Sequence, residues 1–226
     1  MRYLIQFVAV LAFSFSLSVA EAQNKVVVIP LNSSKFVPGG VYTVTSAGQV
    51  WMDRNLGALR VATKPADPDT YGTLYQWGRL GDGHEYRSSS TINSQSSGDV
   101  PGDGSFIRGF TDWRATPNNN LWQGESGINN PCPAGFRLPT ETEWETERGS
   151  WASNDPAGAF ASPLKLVPAG YRSRTDGTLE HAGSYGVYWS STVDGSQSRG
   201  LNFGSDYATM SSYSRAYGFS VRCLRD

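Results

Sequence analysis

The side chains best suited to nucleophilic or metal chemistry are few in this chain. There are two cysteines, Cys132 and Cys223, and two histidines, His84 and His181. Neither histidine sits in an H-x-x-x-H spacing and no cysteine lies near either one, so both read as polar loop residues. No G-x-S-x-G stretch offers a positioned serine. "ADPDTYG" (66–72) opens like a calcium loop but sets Tyr71 where an oxygen ligand belongs, with no closing glutamate. No phosphate-cradling G-x-x-x-x-G-K or G-x-G-x-x-G run is present. Glu141, Glu143, Glu145 and Glu147 alternate, so on a helix they spread around the axis. A glycosidase needs two carboxylates facing each other across a sugar. Capping explains the glutamates better, and no catalytic residue, metal ligand or cofactor is expected.

Recognition chemistry is denser. Residues 183–218, "GSYGVYWSSTVDGSQSRGLNFGSDYATMSSYSRAYG", are rich in Tyr, Ser, Gly and Asp. Tyr supplies rigid contact area and Ser and Gly supply adaptable hydrogen bonding, the composition of binding surfaces. The same composition also suits a solvated β-surface with Gly/Ser turns.

Elements to hold such a surface can be read along the chain. Its 226 residues suffice for one sizeable core. A formal net charge of −1 gives no electrostatic reason to expect nucleic acid or an anionic membrane as partner. Residues 1–22 read as a secretory signal peptide: Arg2, then the apolar run Leu4 to Val19, then Ala20-Glu21-Ala22. Nothing after it is apolar enough to span a membrane, so an exported protein is expected: periplasmic, cell-surface or secreted. In an oxidising compartment an even cysteine count points to a disulfide, with two buried free thiols as the alternative.

"KVVVIPL" (25–31) is a β-branched run. Two strands flank the Ser46-Ala47-Gly48 turn, with Val41, Thr43 and Thr45 alternating and then Val50 and Met52. "DPDTYGTLYQWGRL" is a short helix or an irregular core segment, with Leu74, Trp77 and Leu80 as its apolar positions. Thr140 and Glu143 form a capping box, so a helix of about two turns is expected from Thr140 to about Arg148, anchored by Trp144. A "DG" turn and short β segments about ten residues apart follow. Five or more short strands after one or two short helices indicate an α+β domain.

"GQVWMDRNLG", "YGTLYQWGR", "LWQG", "NNPCPAGFRLPTETEWE", "SPLKLVPAGYR", "YWSST" and "AYGFSVRCLRD" occur in one order. Together they resemble the Fibrobacter succinogenes major paralogous domain, a family of exported bacterial domains, over residues 41–226, with 23–40 as an N-terminal segment. The resemblance implies a C-type-lectin-like fold, akin to formylglycine-generating enzymes and to variable proteins of diversity-generating retroelements. It implies short antiparallel strands, one or two short helices, long loops and a Cys132–Cys223 disulfide joining a helix start to the last strand. It also implies a ligand-binding face drawn from Tyr185, Asp194, Ser205, Asp206, Tyr207, Thr209, Ser211, Ser212, Tyr213 and Tyr217. Trp189, Leu201, Phe203, Met210, Phe219 and Val221 would be the framework between them.

Departures bear on chemistry. Ser190 and Ser191 follow Trp189, so the calcium-dependent sugar motif is missing. Formylglycine-generating enzymes use two cysteines near the chain end, and here only Cys223 lies there. The expected function is a non-catalytic binding module for an extracellular protein or glycan. The alternatives are an oxidase of formylglycine-generating type and a structural envelope component.

Overall fold

The computed structural model describes residues 35–37 and 40–226. The expected leader, the run at 25–31 and most of the segment 23–40 lie outside the described residues. Strand β1 (Lys35–Val37) pairs antiparallel with β2 (Val41–Ser46), which turns into β3 (Gln49–Met52). Ala47 and Gly48 both hold positive φ, 48° and 77°, as a tight two-residue hairpin turn requires. This hairpin buries both faces. Val44 and Trp51 enter one apolar cluster, while Val41 and Met52 pack on another. The alternation Val41, Thr43, Thr45 therefore marks no single buried face, and Thr45 is exposed.

Pro68–Thr70 makes one 3₁₀ turn before the short strand β4 (Tyr75–Gln76). The aromatic stretch is thus an irregular core segment, with Leu74 and Trp77 buried and Leu80 exposed. Strands β5 (Thr91–Ile92) and β6 (Phe106–Ile107) pair in parallel, and β7 (Phe136–Arg137) leads into helix α1 (Glu141–Gly149). Helix α2 (Pro156–Ala161) follows, then β8 (Tyr171–Arg172) and β9 (Leu179–Glu180). The longest strands come late: β10 (Gly186–Asp194), β11 (Gln197–Phe203) and β12 (Ala208–Ser214). Strands β13 (Gly218–Phe219) and β14 (Leu224–Arg225) close the chain.

The sheet orders are β1-β2-β3-β14-β7, β10-β11-β12 and β4-β13-β8-β9, with β5-β6 apart. The last two strands are thus central members of two different sheets. They can form only after distant partners have arrived.

These elements correct the α+β, C-type-lectin-like expectation: the fold is mostly β. Among the described residues two helices, of nine and six residues, stand beside fourteen strands. The helix-start signal itself is sound. Glu143 N–H donates to Thr140 Oγ1, and Thr140 N–H donates to Glu143 Oε2 at 2.7 Å. A capping box sets one terminus and not a length, however, and Tyr-, Thr-, Val- and Phe-bearing segments after α2 favour extended pairing.

Two apolar clusters flank the β10-β11-β12 sheet, because successive strand residues point to opposite faces. Trp189 joins Trp77, Trp113, Trp122, Phe219 and Val221 on one side. Tyr188 joins Trp51, Trp144, Leu201 and Phe203 on the other. The Cys132–Cys223 disulfide, spanning 91 positions, seats Cys223 in the first cluster. Trp144 anchors α1: its ring centroid lies 5.0 Å from that of Trp51, and its Nε1–H donates to Trp189 O at 3.1 Å.

Trp144→Ala should lower the unfolding free energy by about 3–5 kcal/mol in urea titrations, as truncation of a buried aromatic does. A change below about 1 kcal/mol would show that α1 does not depend on this contact. Reducing the disulfide should remove about 2–5 kcal/mol, chiefly by restoring loop entropy to the unfolded chain. Thiol labelling of unfolded, unreduced protein should find no free cysteine.

Candidate functional site

Five tyrosines from three separate stretches meet at one concavity of about 450 Å³. Tyr171 comes from β8, Tyr185 from just before β10, Tyr207 from the β11–β12 turn, Tyr213 from β12 and Tyr217 from just before β13. Val187 and Phe219, both buried, belong to the core cluster beneath them, and His181, Ser184 and Ser205 stand at the edge. Among the described residues, no carboxylate, ammonium or guanidinium group lines the concavity.

Ring packing sets the walls. Tyr171 meets Tyr217 at 86° with centroids 5.8 Å apart, and Tyr185 at 75° and 6.3 Å. Tyr213 stands at 87° to Phe219, 4.9 Å away, while Tyr217 lies nearly parallel to Phe219. Such edge-to-face contacts are favourable for aromatic quadrupoles and hold each ring at a defined angle.

Hydroxyl bonds add to this. Tyr185 donates to Asn202 Oδ1 at 3.0 Å, and Asn202 Nδ2 donates to Ser211 Oγ and to Thr209 O. Tyr171 donates to Glu180 Oε2 at 2.7 Å. Burial pushes the Tyr185, Tyr171 and Tyr213 phenols above the usual tyrosine range. Hydrogen bonds with Tyr213 and Tyr207 raise Tyr185 further, and the bond to Glu180 does the same for Tyr171. These three phenols stay neutral at physiological pH.

Two glycines make room. A Cβ on Gly200 would sit 3.4 Å from the Tyr213 ring, and one on Gly204 would sit 2.9 Å from the Tyr207 ring. Both rings therefore lie close against the backbone.

Of the ten residues expected on a binding face, Tyr185, Ser205, Tyr207, Tyr213 and Tyr217 line the concavity. Thr209 and Ser211 share the strand face of Tyr213, and Asp206 is exposed beside Ser205. Asp194 and Ser212 are elsewhere. On β12, Ala208 and Met210 enter the α1-side cluster, so Ser212 follows them. There it bonds Asp194 and Arg199, and Arg199 holds Glu141 of α1 at 2.6 Å. The period-two pattern Ala208, Met210 was the signal that separates Ser212 from Tyr213. All six expected framework residues are buried. Tyr171, His181 and Ser184 were missed, because pairing of Arg172 with Gly218 brings that hairpin over and no local pattern encodes it.

His84 lies in a loop as expected, but it is fully buried. With Asp82 and Glu85 it forms one grouping of metal-ligand types among the described residues. Its Nε2 accepts the Gln76 N–H at 3.1 Å, so Nδ1 carries the proton, which it donates to Asp82 Oδ1 at 2.7 Å. Arg79 occupies Asp82 Oδ2 at 2.7 Å. Glu85 Oε2 accepts the Gly83 N–H at 2.9 Å, so these groups form a hydrogen-bonded network within loop 79–85.

Residues 150–224 match the model of a domain of unknown function, DUF8237. Every residue lining the concavity falls within that stretch. No curated protein and no solved structure matches the chain.

Burial lowers the His84 pKa from 6.5 to about 4. The fold thus favours neutral His84, a contribution complete above pH 6.5 and lost as pH falls toward 4. Unfolding free energy should drop by about 3 kcal/mol over that window, since one pKa unit is worth about 1.4 kcal/mol. Urea titrations of wild type and His84→Gln at pH 7 and 4.5 check this. If the variant loses as much stability on acidification, His84 is not the source.

Proposed function

We propose that this chain is an exported, non-catalytic binding module that recognises an extracellular ligand through its tyrosine-walled concavity. The observation that carries the reading is the convergence of Tyr171, Tyr185, Tyr207, Tyr213 and Tyr217 around an open volume of about 450 Å³. That is within the usual size range of small-ligand sites. Partly exposed aromatic walls at one concavity, beside six fully buried tryptophans, offer a ligand rigid apolar contact. Tyr, with few rotatable bonds, loses little entropy when a ligand orders it.

The non-catalytic part of the reading has support from the same residues. Both cysteines are joined to each other, so neither offers a thiolate for copper or for nucleophilic attack. Among the described residues the lining holds no carboxylate to serve as a general base. Export rests on the leader-like residues 1–22 and on the resemblance to an exported family. The disulfide agrees with an oxidising compartment. No helix among the described residues is long and apolar enough to cross a membrane.

Tyr207 is the most informative residue to change, being 41% exposed, with its ring close against Gly204. Immobilised wild-type protein should retain material from an extracellular and envelope extract that Tyr207→Ala retains at least tenfold less well. Unfolding free energy should change by less than about 1 kcal/mol. Gly204→Ala, which drives a methyl against the Tyr207 ring, should weaken retention in the same direction. Tyr213→Ala should lose both retention and stability, because Tyr213 packs on Trp189 and Phe219. Equal retention by wild type and Tyr207→Ala would overturn the assignment of this surface.

A further inference from the structure

Resting on that reading, we infer that the concavity takes an uncharged saccharide ring. The C–H faces of the sugar lie against the phenol rings, and its hydroxyls bond Ser184, Ser205, His181 and the tyrosine hydroxyls at the edge.

Charge makes the first selection. No carboxylate, ammonium or guanidinium group of the described residues lines the site. Of the ionised groups around it, Glu180 is engaged by the Tyr171 hydroxyl at 2.7 Å, Arg174 lies over the Tyr217 ring at 5.6 Å, and Asp206 accepts the Ser205 hydroxyl at 3.2 Å outside the lining. An acidic sugar or an acidic peptide side chain would lose its hydration with no cation in the lining to replace it, and would face Asp206 at the edge.

Polarity makes the second selection. A wholly apolar occupant, such as a proline or aliphatic side chain, would separate from water the Tyr207 and Tyr217 hydroxyls and the free lone pairs of Ser184 and Ser205, whose hydroxyls already donate to His181 O and Asp206 Oδ1. Each polar group so buried without a partner costs about 1–3 kcal/mol. A quaternary ammonium, the usual guest of aromatic cages, meets the same penalty and has no donors or acceptors to offset it. A neutral sugar is the ligand class that brings both apolar faces and ring-edge hydroxyls.

Geometry is consistent with a ring-shaped guest. Walls at 75–86° to one another around Tyr171 form a corner that a flat-sided ring can occupy while touching two rings. The concavity's base, Val187 and Phe219, is fixed by the core beneath it. The site is therefore formed before the ligand arrives, which spares the ordering cost of binding.

The test is titration of the purified protein, followed by tyrosine-ring NMR. The neutral probes are methyl α-glucopyranoside, N-acetylglucosamine, maltose and cellobiose. Glucuronate, tetramethylammonium and a proline-rich peptide are the competing classes. At least one neutral saccharide should shift the Tyr207 and Tyr217 resonances. Its affinity should fall a few-fold to tenfold in Tyr217→Phe, which removes one edge hydroxyl and leaves the ring. The same saccharide should displace the material retained by the immobilised protein. If only tetramethylammonium or the peptide moves these resonances, the site binds but the ligand class is wrong. If no probe moves them and Tyr207-dependent retention is destroyed by protease, the partner is a protein and the saccharide inference falls alone. Loss of both the titration and the retention would overturn the binding-module reading with it.

Discussion

A protein with this much loop must find hydrogen-bond donors for buried carbonyls that no ladder serves, and indole and guanidinium groups supply them here. Leaving such carbonyls unpaired in the interior would cost more than the whole fold is usually worth. Trp77 Nε1 donates to Ser190 O, Trp113 to Trp77 O, Trp189 to Tyr75 O and Trp122 to Asn129 O, all within 2.7–2.9 Å. Arg222, fully buried, gives its protons to Leu164 O, Met52 O and Asn55 Oδ1. Burial lowers its pKa to about 10, so it remains a cation at neutral pH and keeps every donor. Arg215, also buried, reaches outward to the carbonyls of Gly195, Gln197 and Asn118 near the surface. Each such side chain fills core volume and fastens a loop at the same time.

That arrangement explains how a site built from loops and strand ends can be rigid. Tyr213 and Tyr217 pack on Phe219, and Phe219 packs at 4.3 Å on Trp189, whose indole holds the β4 segment. Movement of the tyrosine walls would disturb the tryptophan cluster beneath. On the opposite side of the sheet, Arg199, Glu141 and Ser212 fix α1 to β11 and β12. The two faces thus divide the work: one carries the helix and the other carries the concavity.

The disulfide belongs to the same logic at longer range. Cys223 lies between Arg222 and Leu224, and Leu224 pairs with both Trp51 and Arg137. Residues 218–225 are where the early hairpin, the α1 approach and the tyrosine site are all joined. A covalent bond at that point restrains the segment whose partners are most distant in sequence, where loop-closure entropy opposes folding most.

Residue chemistry alone was enough for the features that depend on neighbours in the chain. The capping box at Thr140, the turn at Ala47-Gly48 and the short strands after residue 170 are all local, set by dihedral preference and side-chain-to-backbone bonds. The buried framework at Trp189, Leu201, Phe203, Met210, Phe219 and Val221 came from the family resemblance, and its apolar side chains between polar ones agree with it. Cysteine count and the leader-like start argued for the disulfide before any geometry. What remained undecided was which of two faces a polar residue would take and which distant segments would meet. Ser212 and Tyr213 are adjacent and of similar surface character, yet the strand's pleat sends one toward Arg199 and the other toward Phe219. His84 looks like a loop histidine until Gln76 and Asp82 close around it. Tyr171 joins the other four tyrosines only because β13 pairs with β8 across forty-six positions (Arg172 with Gly218). Such pairings depend on the summed burial of many side chains, which no short stretch of sequence contains.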